Sequence, residues 1–148
     1  MPTEAQHDAV AAVFVYGTLK RGECRQRCWP RVPIAVEPAV IRGRLYDLGP
    51  YPALGPGDDR VRGELWCFDV DAMPETLRVL DEVEGATQLG DFYYRRIILT
   101  CECDDGQRRE AFAYEFADLD RLKDKPIVPP DASGECCWNG GADLEEIE

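Results

Sequence analysis

The alternation of apolar and polar residues predicts a chain built mainly from β-strands. Apolar runs rich in β-branched and aromatic residues, bounded by Gly, Pro and Asp, are typical of strands. Such runs cover residues Ala11–Tyr16, Ala39–Tyr46, Arg60–Val70, Phe92–Cys103 and Arg108–Phe116. The last two flank Asp104-Asp105-Gly106, a strong signal for a β-hairpin. Strands therefore outnumber helices in the predicted fold.

One segment, Asp71–Glu84, has the features of a helix. Asp71 is placed to cap its start, Pro74 falls in its first turn, and Gly85 follows as a left-handed cap. A second, short helix is expected within Leu19–Trp29. We expect the Gly- and Pro-rich stretch at residues 47–59 to be an irregular loop.

The face of the predicted helix carries one unexpected carboxylate. Spacings of four, seven and eleven from its first apolar residue define a stripe of Met73, Leu77, Leu80 and then Glu84. A carboxyl group facing a core is expected to have a raised pKa, as general acid–base catalysis requires. Glu84 is thus a candidate catalytic residue. The structural alternatives are a buried pair with Arg95 or Arg96, or a helix that frays before Glu84.

The turn after the first strand, Tyr16-Gly17-Thr18-Leu19, is a candidate anion site. A glycine at the end of a buried strand allows successive backbone N–H groups to point at one anion, such as a carboxylate. Lys20 and Arg21 are expected to add positive potential. The alternative is an ordinary strand-to-helix turn.

Charge and composition exclude several classes of function. The 148 residues fit one domain, and 17 basic against 29 acidic residues give a net charge of −12, which argues against nucleic-acid binding. No apolar run is long enough to span a membrane. The N-terminal end lacks the basic region of a secretory signal, so we expect a cytoplasmic protein.

The histidine and cysteine contents limit the available chemistry. The single histidine, His7, lies in the polar N-terminal end, so His-based catalysis and His-metal sites lack their usual residue. The 7 cysteines show none of the C-x2-C spacings of a zinc site, and we expect reduced thiols. A thiol or zinc protein using Cys24, Cys101 and Cys103 remains an alternative.

The domain is expected to occupy residues 11–125. Residues 1–10 are expected to be a flexible end, and residues 126–148 a Pro-containing linker followed by an acidic tail. If the tail is an appendage, truncation near Pro130 should leave activity intact.

Five motifs, in order along the chain, resemble those of the γ-glutamylcyclotransferase-like superfamily, with the γ-glutamylamine cyclotransferase branch as the closest match. They are Val15-Tyr-Gly-Thr-Leu-Lys-Arg-Gly22, Gly43-Arg-Leu-Tyr-Asp-Leu-Gly-Pro-Tyr-Pro-Ala53, Val61-Arg-Gly-Glu-Leu-Trp66, Leu80-Asp-Glu-Val-Glu-Gly85 and Tyr94-Arg-Arg96. The resemblance covers about residues 12–116. It implies a mixed α/β fold of the α+β kind, a small barrel-like mixed sheet with short helices around it.

The resemblance also implies a site and a reaction. The backbone amides of the Tyr16–Leu19 loop would hold the α-carboxylate of a small-molecule γ-glutamyl substrate, and Glu84 would transfer protons. The α-amine would attack the γ-carbonyl and release 5-oxoproline with no cofactor or metal. Tyr94, in the Tyr-x-Arg motif, and Tyr114 resemble residues near the family's pocket. Tyr93 and Arg95 are an alternative alignment of the same Tyr-x-Arg motif. Tyr51 is either a gate at the pocket wall or a packing residue.

The chain departs from its relatives after Gly22, where many of them have a polar Asn or His cluster. Here Glu23-Cys-Arg-Gln-Arg27 follows, so we expect a different pocket rim and a different specificity for the leaving group. Arg25 or Arg27 would suit an acidic leaving group, although solvated charges are the plainer interpretation. A non-catalytic protein that binds small molecules or partners with the same pocket is the main alternative, because a fold does not fix a function. The sequence does not indicate the oligomeric state.

Overall fold

Five strands close into a barrel in the computed structural model, which describes residues 10–17, 19–21, 26–48, 52–84 and 94–138, with the backbone alone at Glu84. These five are β1 (Ala12–Val15), β2 (Ala35–Asp47), β3 (Pro52–Cys67), β4 (Tyr94–Cys103) and β5 (Arg108–Phe116), and a short sixth strand, β6 (Glu135–Cys136), adds to β3. The helix α1 spans Met73–Glu84, and 3-10 turns occur at Gln26–Cys28, Val70–Ala72 and Leu119–Leu122. No helix among these residues is long and apolar enough to cross a membrane.

The barrel closes because β1 pairs on both of its edges. It runs antiparallel to β3 and parallel to β5, and the order continues β5-β4-β2-β3 back to β1. The arrangement confirms the expected α+β fold with a small, barrel-like mixed sheet.

Both faces of the sheet are apolar along β1, so its residues alternate between two cores. Ala12, Phe14 and Tyr16 pack inside the barrel, whereas Val13 and Val15 pack outside, against α1 and its neighbours. The interior combines small side chains with large ones, as a narrow barrel requires. Gly63 belongs to this fit, because a Cβ there would lie 2.7 Å from the Phe14 ring.

The stretch at residues 47–59 was expected to be a loop, and the structure corrects this. Most of it belongs to β3, which pairs with β2 from Asp47 opposite Pro52 to Ala35 opposite Cys67. The register shifts between Gly43, opposite Asp59, and Arg44, opposite Gly55, so the glycines and prolines mark a bulge in a long hairpin. The hairpin predicted at residues 104–106 is confirmed, with Gly106 at φ +89°.

The position of the helix is as predicted, but Asp71 is not its N-terminal capping residue. Asp71 lies inside the 3-10 turn that precedes α1, and the residue in the capping position of that turn, Asp69, makes no side-chain cap bond. Thr76 instead supports the first turn of α1 by donating its hydroxyl hydrogen to the Ala72 carbonyl at 2.8 Å. The short helix expected within Leu19–Trp29 is reduced to the 3-10 turn at Gln26–Cys28 in the described part of that segment.

Residues 126–138 pack onto the barrel. Asp47 N–H donates to the Pro126 carbonyl, and Val128 N–H donates to the Leu45 carbonyl. Further on, β6 adds to β3 in parallel and buries Cys136 and Trp138 in the inner core. The fold thus extends to at least Trp138, beyond the domain boundary near Lys125 that the sequence predicted. The sequence did not indicate this because the few apolar residues near Cys136 stand among polar residues and prolines.

Candidate active site

The loop after β1 is a tight turn pressed against the start of β3. Lys20 N–H donates to the Gly17 carbonyl at 3.1 Å, and Leu19 is buried. A Cβ at Gly17 would lie 2.7 Å from Cγ of Pro52, whereas the φ angle of Gly17 is not positive. Glycine is therefore required here by the close approach of Pro52. Thr18 and Tyr51, two of the predicted binding residues, lie outside the described residues.

Two predicted tyrosines connect this loop to the helix. The Tyr16 hydroxyl donates to the backbone carbonyl of Tyr114 at 2.5 Å. The Tyr114 hydroxyl in turn donates to Oδ1 of Asp81 at 2.7 Å, in the last turn of α1. The strand-end loop, β5 and the end of α1 therefore meet through hydrogen-bonded side chains.

Tyr94 binds Pro52, the residue that lies against Gly17. Its hydroxyl donates to the Pro52 carbonyl at 2.7 Å, and its ring meets the edge of Phe116 at a centroid distance of 5.6 Å. Pro52 thus accepts a hydrogen bond from Tyr94 through its carbonyl, and its ring lies close to Gly17. Tyr93, the residue of the second register, lies outside the described part of the chain.

Glu84 is the last residue of α1, and its side chain lies outside the described atoms. Leu80, one turn earlier, is completely buried, so the face on which the sequence places Glu84 is the face toward the outer core. Arg95 donates to Glu115, and Arg96 donates to Asp81 at 2.9 Å, so both alternative partners hold other carboxylates.

Asp81 is the residue that sequence reasoning missed. It accepts hydrogen bonds from both Tyr114 and Arg96, and it precedes Glu84 by three residues, on a neighbouring part of the helix surface. The signal was present in the Leu80-Asp-Glu-Val-Glu-Gly85 motif and in the Arg of Tyr94-Arg-Arg96. Local spacing did not show that the two motifs meet.

Lys20 was expected to add positive charge to the anion site, but its ammonium group is buried and already hydrogen-bonded. Its side chain is only 8% exposed, and Nζ donates to the backbone carbonyl of Trp138 at 2.8 Å. Its ammonium group therefore fastens the C-terminal segment to the loop.

The barrel thiols lie toward the other end of the strands. Burial raises the pKa of Cys101 to about 12 and also raises the pKa values of Cys67 and Cys103. These thiols are therefore protonated at neutral pH. In the part of the chain that the structure describes, which omits Cys24, no group of three or more His, Cys, Asp or Glu residues is arranged to hold a metal ion.

The sequence profile of the family described as "Gamma-glutamyl cyclotransferase, AIG2-like" matches residues 13–138. The chain belongs to this family. The match begins in β1 and ends at Trp138, so it includes the C-terminal segment that packs on the barrel. The resemblance found in the motifs is thereby confirmed, at the level of the family.

Individual relatives agree with this assignment. The chain is 28% identical over 88 residues to "Gamma-glutamylcyclotransferase family protein ytfP" of Citrobacter rodentium, covering 60% of this chain and 71% of the relative. The solved structure of an AIG2-like protein from Mus musculus is 26% identical and superposes with a TM-score of 0.59, over 79% of this chain and 84% of that one.

A more distant structure supports the fold alone. YkqA from Bacillus subtilis is 20% identical and superposes with a TM-score of 0.62. The match covers 93% of this chain, but the chain spans only 43% of YkqA.

Proposed function

We propose that this member of the family is an enzyme that cyclises a γ-glutamyl amine, amide or peptide, releasing 5-oxoproline and the attached amine or amino acid. The observation that carries the proposal is the hydrogen-bonded connection from Tyr16 through Tyr114 to Asp81. It joins the loop proposed to bind substrate to the helix turn that ends in Glu84, and it does so in a chain that belongs to this family.

The bonds within the loop narrow the choice of groups that would hold the substrate's α-carboxylate. The Lys20 amide is used by the turn itself, and the Arg21 amide donates to Glu64 at 2.9 Å. Neither amide is available to a ligand. The backbone donors for a carboxylate are therefore proposed to come from residues 17–19, within the segment that the motif comparison indicates.

The proposed reaction forms one C–N bond and breaks another. Glu84 takes a proton from the α-ammonium group, and the resulting amine attacks the γ-carbonyl carbon. As the five-membered lactam closes, the bond to the leaving nitrogen breaks, and Glu84 returns the proton to that nitrogen. The second proton lost by the α-nitrogen completes the leaving ammonium ion. Holding the amine and the carbonyl at attack distance supplies part of the acceleration.

The test is the release of 5-oxoproline from γ-glutamyl amino acids, γ-glutamyl-ε-lysine, glutathione and simple γ-glutamyl amines. Matched α-glutamyl isomers serve as controls, because their side-chain carboxylate offers no γ-amide to the α-amine. We expect turnover of at least one γ-glutamyl compound and of no α-glutamyl isomer.

The outcome that would overturn the proposal is binding without product. If calorimetry shows that a γ-glutamyl compound binds while no 5-oxoproline forms, the protein is a small-molecule-binding protein that uses the same pocket. If no compound binds or reacts, γ-glutamyl chemistry is excluded for these substrates.

A further inference from the structure

Two stacked tryptophans lie beside the candidate substrate loop. The indoles of Trp29 and Trp66 are parallel to within 3°, with centroids 4.3 Å apart, and Phe68 stacks on Trp29 at 5.4 Å. Trp66 is almost fully buried. An aromatic layer at the outer core, formed by Trp29, Trp66 and Phe68, therefore lies next to the loop.

Both indole N–H groups are directed to the loop or to a residue that holds it. Trp29 Nε1 donates to the Leu19 carbonyl at 2.9 Å. Trp66 Nε1 donates to Oε1 of Glu64 at 3.0 Å, and the same oxygen accepts the Arg21 amide at 2.9 Å. The loop backbone is thus held at Leu19 directly and at Arg21 through Glu64.

The position of Glu64 on β3 allows it to hold the loop backbone. It lies on β3 opposite Val15, the last residue of β1, so the strand pairing brings it to the position where the loop begins. The donor from Trp66 fixes the orientation of the carboxylate, since one of its oxygens serves both N–H groups.

We propose that Glu64, oriented by Trp66 and the Trp29 stack, is a positioning residue that holds the loop backbone at Leu19–Arg21 for γ-glutamyl binding. The proposal rests on the proposed function for its ligand. It assigns a role to the motif Val61-Arg-Gly-Glu-Leu-Trp66, which the proposed reaction does not use.

The role follows from the acceptor that Glu64 provides. Replacing it with leucine leaves the Arg21 amide without its partner, and hydrogen bonds to a charged acceptor are among the stronger ones. Glutamine keeps a carbonyl oxygen of similar reach, so it should satisfy both donors. A loop that moves away from its binding conformation weakens binding of the substrate, whereas proton transfer by Glu84 is not directly altered.

The test compares Glu64→Leu, Glu64→Gln and the control Glu110→Leu, an exposed glutamate on β5. Amide hydrogen exchange at Arg21, measured by NMR, reports the loop without any need for turnover. KM and kcat for 5-oxoproline release from γ-glutamyl-ε-lysine, or from whichever γ-glutamyl compound is turned over, report the function.

We expect Glu64→Leu to accelerate Arg21 exchange at least about tenfold and to raise KM by about tenfold or more, with kcat changed less than KM. Glu64→Gln should restore most of both properties, and the control should resemble the wild type. Trp66→Phe should give a weaker form of the same pattern and remove the near-ultraviolet circular dichroism signal of the stacked indoles.

Two results would overturn the proposal. The first is wild-type protection of Arg21 in Glu64→Leu, and the second is fast exchange without a change in KM. If the wild-type protein turns over no γ-glutamyl compound, the proposed function fails separately. In that case the proposed role of Glu64 in γ-glutamyl binding fails as well. The rate of Arg21 amide exchange in Glu64→Leu still shows whether Glu64 holds the loop backbone.

Discussion

Asp81 is the residue on which β4, β5 and α1 converge. It accepts the Tyr114 hydroxyl and an Arg96 guanidinium N–H, and its side chain is largely buried. Removing it leaves both donors without this partner. We therefore expect Asp81→Ala to lower stability by about 1–3 kcal/mol and to reduce 5-oxoproline release severalfold or more. Urea unfolding and the release assay measure the two effects.

The control for this variant is Glu82→Ala, an exposed change on the next residue of the same helix. It alters helix charge without touching β4 or β5. Equal effects of the two substitutions would show that Asp81 does not hold the helix end in place.

Gly17 tests the contact between the loop and β3. An added methyl group at Gly17 would meet the Pro52 ring at 2.7 Å, so Gly17→Ala is expected to destabilise the fold by about 1–3 kcal/mol through overpacking. Pro52→Ala removes the ring atoms that cause the clash. The double variant should therefore be more stable than the sum of the single effects predicts, as measured in a double-mutant cycle. Strict additivity would exclude the contact.

At the scale of elements, β6 decides where the domain ends. A chain that ends at Trp138 keeps Cys136 and Trp138 in the core and keeps the bond from Lys20. A chain that ends at Pro130 loses them all. We expect the first truncation to resemble the full chain in thermal unfolding, and the second to be strongly destabilised and to lose activity.

This expectation reverses the one from sequence, which treated the acidic tail at residues 131–148 as an appendage. Unchanged unfolding and activity after truncation at Pro130 would show that β6 adds nothing to the fold.

The ion pair between β6 and β3 makes part of this attachment sensitive to pH. Arg62 donates to Glu135 through Nε at 2.5 Å, and this contact lowers the pKa of the Glu135 carboxyl. Because the Glu135 pKa is lower in the folded state, the ionised carboxylate stabilises the fold at pH values above the ordinary pKa of glutamate. This stabilisation is lost as the pH falls through the lowered pKa of the folded state.

We therefore expect Glu135→Gln to be less stable than the wild type at pH 7. The difference should shrink as unfolding is measured at progressively lower pH, toward pH 3. A difference that is constant with pH would contradict the role of the charge.

The strand pattern predicted most of the strands and the helix because these depend on local sequence, whereas the barrel was expected only from the family resemblance. The structure brings Tyr16 into hydrogen-bonding contact with Tyr114 and places Pro52, bonded to Tyr94, against Gly17, while the role of these residues in binding stays a prediction. What the sequence did not show depends on pairing between distant segments. The acceptor role of Asp81, the bulge in β3 and the burial of Trp138 each require a partner more than ten residues away.

At the scale of the whole molecule, the barrel separates two kinds of chemistry. The candidate site lies where β1 ends, whereas the protonated thiols Cys101 and Cys103 lie near the turn that joins β4 to β5. Between them, β1 pairs with β3 and β5, and β5 pairs with β4, so the loop, β5 and the strands bonded to α1 belong to one sheet. The proposed cyclisation requires the amine and the γ-carbonyl to be held at attack distance, which a site built on paired strands favours.

The most direct test compares Glu84→Gln with Glu82→Gln in 5-oxoproline release, with folding checked by circular dichroism. Both variants remove one charge from the last turn of α1, but only one changes the proposed proton carrier. The account predicts a loss of about 10²–10⁴-fold for Glu84→Gln and little change for Glu82→Gln. Equal turnover in the two variants would contradict the assignment of Glu84.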